Sequence, residues 1–144
     1  MNHIVFYHPK SSYNMASAMR TAYNFNVDAI HVVGKRYRRL CPDTVNCKAH
    51  IPVYHFPTWE EYWNSKPTIG FNVAIEIVKD SRCLWGFEHP NSATYFFGPE
   101  DGSLPEEVLQ RCQYKISIPT NQCLNLAVAF GIVMNDRAMK ETRK

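Results

Sequence analysis

The sequence predicts one α/β domain, with a mostly parallel sheet and helices on both faces. Three observations carry that expectation. A strand, a helix and a second strand fit within the first 34 residues, the β-α-β order of a parallel sheet. Phe71–Val78 (FNVAIEIV) is a nearly unbroken Val/Ile run, as in strands covered on both faces. Tyr95 to Asn135 alternates again: a strand, a turn, a short helix, a strand, a loop and a long helix.

Ile4–Tyr7 is the first apolar run, and His8 to Ser12 is its turn. Tyr13 to Phe25 reads as a helix, with Met15, Met19, Ala22 and Tyr23 on one face and Ser12 as its cap. Asn24–Asn26 ends it, and Asp28–Val33 reads as the second strand. Lys35, Arg36, Arg38 and Arg39 then surround Tyr37 in the densest charge cluster of the chain. Such a cluster is either a solvated loop or a phosphate-contacting patch. Its place just after a strand, where open α/β sheets bind ligands, favours the patch.

Cys41, Cys47, His50 and His55 have a loosely zinc-like spacing but no tight Cys-x-x-Cys pair, so no metal site is expected. Ile51–Phe56 reads as a strand, and Thr58–Trp63 as a helix whose Thr58 and Glu61 form a capping box. Glu76 stands within the Phe71–Val78 run, where a carboxylate needs a partner or a strand end. A salt bridge is the expected partner. Lys79–Asn91 is a loop.

Tyr95–Phe97 is an aromatic strand, followed by the turn Gly98 to Ser103. Pro105 to Cys112 is a short helix opened by Pro and two Glu. Ile116–Pro119 is a strand, and a polar loop opens a helix from about Leu124. The charged tail Met139 to Lys144 is expected to fray.

Composition bounds the reading without deciding it. Hydrophobic residues make up 45% and charged residues 20% of 144, with net charge +3, ordinary for a globular domain that permits nucleic-acid binding. No apolar stretch reaches membrane-spanning length, and the first ten residues lack the pattern of a signal peptide. Five scattered Cys suit reduced thiols, so a cytoplasmic protein without membrane attachment is expected.

The motifs are more specific. Phe97-Gly98-Pro99-Glu100-Asp101-Gly102-Ser103-Leu104 and Ile116 to Asp136 resemble the second and third signature motifs of the SpoU (TrmH) branch of the SPOUT methyltransferases. Asn14, with Arg20 six residues later and then Thr21, resembles the first. The order and the chain length also match, and the resemblance spans nearly the whole sequence as one domain, residues 1–144.

That resemblance implies a carboxy-terminal trefoil knot and S-adenosylmethionine-dependent 2′-O-ribose methylation of RNA. It favours transfer RNA, including the wobble position, and a homodimer whose two-fold interface uses the first and last helices. It places the cofactor against Glu76, Gly98, Ile118, Cys123 and Leu124, and the chemistry at Arg20, Asn14, Glu100 and Asn125. Asn14 would orient Arg20 or the ribose, Glu100 would hold Arg20 or cap a turn, and Asn125 would present its amide to the pocket. Cys123 stands where Ser is usual, Ala16 where a small Gly is common, and Ser103 where many relatives carry Gly. Free Arg is a poor base because its pKa exceeds about 12. Its planar fork is better suited to holding a phosphate and stabilising a developing alkoxide. The alternatives are an RNA-binding protein that keeps the fold without catalysis, and an α/β protein for a small ligand of another class.

Overall fold

The computed structural model describes residues 1–39, 46–65 and 69–142. Its strands are β1 (Asn2–Tyr7), β2 (Ala29–Val33), β3 (Val53–Phe56), β4 (Phe71–Ile75), β5 (Arg82–Cys83), β6 (Ala93–Phe97) and β7 (Tyr114–Ser117). The helices are α1 (Ser12–Asn24), α2 (Trp59–Ser65), α3 (Glu106–Leu109) and α4 (Leu126–Glu141). The seven strands form one sheet in the order β3-β2-β1-β6-β4-β7-β5, and every pairing is parallel.

Alternation along the inner strands β1, β2 and β6 buries both faces. Ile4 and Phe6 of β1 turn to one side, where Met15, Met19 and Ala22 of α1 and Phe130, Val133 and Met134 of α4 cover them. Val5 turns to the other side, with Val33, Ala74 and Phe96, under Trp59 and Tyr62 of α2 and Val108 and Leu109 of α3. Crossovers running toward β3 therefore place their helix on one face, and those running toward β5 on the other. The strand order reverses between β1 and β6. β7 lies between β4 and β5, which are consecutive in the chain.

The element boundaries differ from the sequence reading in instructive ways. Ser11, not Ser12, caps α1: it has extended backbone and its side chain accepts from the Asn14 amide. β4 stops at Ile75, so Glu76 lies just past a strand end. Its partners are backbone amides rather than a salt bridge, with Oε1 accepting from Ile77 at 3.1 Å and Oε2 from Leu104 at 3.0 Å. β5 is a two-residue strand inside the expected loop, too short to carry a periodic signal. α4 begins at Leu126 and continues through Met139 to Glu141, residues expected to fray. Lys140 anchors that last turn by donating to the Leu84 and Phe87 carbonyls at 2.8 and 2.9 Å. Among the described residues, no helix is long and apolar enough to cross a membrane.

Candidate active site

The loops after β4, β6 and β7 enclose a cleft at the carboxyl ends of those strands. All five residues expected to hold a cofactor line it: Glu76, Gly98, Ile118, Cys123 and Leu124. Ile75, Ile116 and Leu126 add apolar wall, while Glu100, Ser117 and Thr120 supply polar groups.

Gly98 is required by space rather than by an unusual backbone angle. A Cβ there would lie 3.2 Å from the Leu104 nitrogen and 3.3 Å from Glu76 Oε2, against the hydrogen bond that joins those two atoms. The Glu76 carboxylate accepts two backbone bonds and retains further lone pairs, so it can also receive a ligand hydroxyl. Apolar walls for a flat ring, an unfilled backbone approach and a carboxylate for hydroxyls fit an adenosyl group.

Three of the four expected catalytic residues form one hydrogen-bonded chain. Asn14 Nδ2 donates to Glu100 Oε1 at 3.1 Å, and Asn125 Nδ2 donates to Asn14 Oδ1 at 2.9 Å. Asn125 also caps α4, its Oδ1 accepting from the Ala127 and Val128 amides at 2.9 and 3.3 Å. Glu100 Oε2 accepts from the Lys10 amide at 2.9 Å and Oε1 from the Ser11 amide at 3.0 Å. Both Asn side chains thus face the scaffold, and Glu100 takes the turn-holding role. Burial alone would raise the Glu100 pKa, but the Lys10, Asn14 and Ser11 donors outweigh it and hold the carboxylate ionised below its ordinary value.

Arg20 stands elsewhere. It is exposed on α1 and outside the residues that line the cleft. Six helical steps of about 100° put it roughly 120° around the helix from Asn14.

The basic loop divides in the same way. Arg36, though exposed, is tied to neighbouring loops: Nε donates to the His8 carbonyl at 2.9 Å, Nη1 donates to Asp101 Oδ2 at 2.9 Å, and Nη2 donates to Asp101 Oδ1 at 2.5 Å. That bidentate pair draws the Asp101 pKa down to about 2. Lys35, Arg38 and Arg39 are exposed, with the Lys35 ammonium 5.3 Å from the Tyr37 ring centroid. Sequence reasoning does not find Asp101, because an acid in a Gly-rich turn reads as solvated. Its signal is the position beside Glu100, with one acid for each neighbouring loop: Glu100 holds the turn after β1, and Asp101 the loop after β2.

The loosely zinc-like quartet does not take part in this site. Cys47 is buried in a 3-10 turn, His50 and His55 are exposed, and Cys41 lies outside the described residues.

A parallel sheet with a ligand cleft at its carboxyl edge, walled by the loops before α3 and α4, is the arrangement of an open α/β sheet that binds its ligand beyond the strand ends. The chain belongs to the SpoU rRNA methylase family, whose model matches residues 1–135. The methyl donor of this enzyme class is S-adenosylmethionine, and its acceptor is RNA. A comparison with curated protein sequences returned no match. Among solved structures, the chain is similar to one reported for the 2-OH methylation of C/U34 on tRNA, with 24% identity and a TM-score of 0.84, covering 100% of this chain and 98% of that one. It is also similar to the methyltransferase AviRb of Streptomyces viridochromogenes in complex with AdoMet, with 19% identity and a TM-score of 0.81, covering 99% of this chain and 61% of that one. The A. aeolicus TrmH/SpoU tRNA modifying enzyme gives 18% identity and a TM-score of 0.81, over 99% and 76% of the two chains.

Proposed function

We propose that this protein transfers a methyl group from S-adenosylmethionine to a ribose 2′-hydroxyl of RNA. Transfer RNA is the favoured substrate and the wobble nucleotide the favoured target. One observation carries the reading: the cleft fitted to an adenosyl group is joined at its rim to the Asn14–Glu100–Asn125 chain. The likeness to the structure concerned with C/U34 of tRNA, over nearly the full length of both chains, supports the choice of position.

Glu76, Gly98, Ile118, Cys123 and Leu124 hold the cofactor, which supplies an electrophilic methyl group on a sulfonium. The chain's own work is placement. Asn125 fixes the start of α4, Asn14 links it to Glu100, and Glu100 fixes the turn before α1. These three are positioning residues. Arg20 is the residue that meets the substrate, its fork holding a phosphate and stabilising the hydroxyl oxygen as its proton passes to that phosphate and on to solvent, with the neutral thioether as leaving group.

Because Arg20 lies away from the cleft of its own chain, the reading includes a homodimer in which Arg20 of one subunit faces the cofactor of the other. Trp85, Val128 and Met139 support this as exposed apolar side chains on and beside α4 (55%, 51% and 48% accessible), beside Gly131 and Ile132. Tyr13 and Tyr23 are the exposed aromatics of α1, which packs against α4. The reading also includes the trefoil knot. Its support is β7 lying between β4 and β5, so that the 76–81 connection must pass the end of β7. Glu76 donates its amide there to the Ile116 carbonyl at 3.0 Å. A cytoplasmic location completes the proposal.

The exposed cations give a direct test of RNA binding. Arg38→Ala with Arg39→Ala should raise the Michaelis constant for RNA and flatten its salt dependence by about two phosphate contacts, leaving cofactor affinity unchanged. Arg36→Ala should behave differently, lowering cofactor affinity as well, because it frees Asp101, and with it the loop that carries Gly98, from the loop after β2. Equal salt slopes in the double variant and wild type would make the outer loop a solvated one.

A further inference from the structure

On the face opposite α1 and α4, a second groove of about 570 Å³ opens at the carboxyl ends of β1, β2 and β3. Tyr7 and His8 at the end of β1 form one side, α2 contributes Trp59, Glu60 and Trp63, and Glu107 of α3 and Arg111 beyond it close the other. None of these residues lines the cofactor cleft. Ligands of open α/β sheets bind outside the carboxyl ends of strands.

The chemistry of the groove is specific. The Arg111 guanidinium lies 4.7 Å from the Trp63 ring centroid, and Trp63 stacks on Trp59 at 5.8 Å with 20° between the planes. Arg111 is exposed, so its outer face extends this aromatic stack toward solvent as a flat, cationic platform. Unpaired bases stack on such guanidinium planes. Glu60 and Glu107 are exposed acceptors at the groove, matched to a base edge that carries adjacent N–H donors. Gly34 also lines the groove, and the exposed cations Lys35, Arg38 and Arg39 follow it in sequence, where a backbone phosphate would sit.

We propose that this groove binds an unpaired guanine nucleotide of the RNA substrate, stacked on Arg111 with its N1–H and N2–H edge facing Glu107 or Glu60. The assignment rests on the RNA methyltransferase reading and extends it, because it gives the methyltransferase domain a second hold on single-stranded RNA. Two carboxylates exclude a bare phosphate as the occupant of the groove floor and leave phosphate to the outer loop.

The test is a titration of guanosine 5′-monophosphate and a short single-stranded RNA into isotope-labelled protein, read at the tryptophan indole N–H resonances. The Trp63 resonance should shift while that of Trp85, on the α4 side, stays fixed. Arg111→Ala should weaken binding about 5- to 150-fold, the range for losing one stacked base. Arg111→Lys should fail to restore it, since Lys keeps the charge without the plane. Glu107→Gln should reduce the preference for guanosine over cytidine monophosphate. These are exposed positions, and unchanged circular dichroism will show that the variants fold. The proposal is overturned by wild-type affinity in Arg111→Lys, by a shift confined to Trp85, or by tighter binding of trimethyllysine than of the nucleotide. Methyl transfer to RNA measured on the same samples separates the two claims. Turnover without a Trp63 shift removes the groove assignment alone, and a Trp63 shift without turnover removes the enzymatic reading alone.

Discussion

Arg20→Ala is expected to lower methyl transfer by about two orders of magnitude or more while leaving S-adenosylmethionine binding nearly intact. The size is that of removing one charge-stabilising group from a reaction centre. The binding result follows from geometry, because Arg20 is exposed on α1 and does not line the cleft. Arg20→Lys should recover little, since an ammonium cannot present two parallel donors to a phosphate. Single-turnover kinetics beside calorimetric cofactor binding check both halves. Near-normal turnover in Arg20→Ala would remove Arg20 from the mechanism.

Gly98→Val should have the complementary effect, with a folded protein that no longer holds its cofactor. Even a single Cβ would stand 3.2 Å from the Leu104 nitrogen, and the branched methyls would extend into the cleft. A clash of about 1–3 kcal/mol corresponds to roughly 5- to 150-fold weaker binding. Gly98→Ala should fall between, since its Cβ requires shifts of a few tenths of an ångström. Wild-type affinity in a folded Gly98→Val protein would contradict the assignment of the cleft. Mixing the two variants tests the dimer. If Arg20 of one subunit serves the cofactor of the other, subunits exchanged between Arg20→Ala and Gly98→Val preparations should regain activity that neither has alone.

The inner strands were legible because they are buried and written mostly in apolar residues. Ile4–Tyr7, Asp28–Val33 and Tyr95–Phe97 need no long-range information to be recognised. Strand order, the pairing of β5 with β7 and the insertion of β7 between β4 and β5 depend on contacts distant in sequence, and no local pattern records them. The cleft residues were legible through motifs, and all five came together. Partners were harder to read. Glu76 looked like half of an ion pair but binds two backbone amides, and Arg36 looked like a phosphate ligand but is held by Asp101. The partners distant in sequence, Leu104 for Glu76 and Asp101 for Arg36, both come from the segment between β6 and α3. Arg20 illustrates the same limit, since its spacing from Asn14 marks it while about 120° of helix rotation separates the two.

The most direct measurement is methyl transfer from labelled S-adenosylmethionine to RNA taken from cells lacking this protein, followed by digestion to nucleosides. The account predicts label in a 2′-O-methylated nucleoside, at the wobble position of transfer RNA, with wild-type protein and none with Arg20→Ala or Gly98→Val. Label on a base instead of a ribose, or no label from a protein that binds both cofactor and RNA, would contradict it.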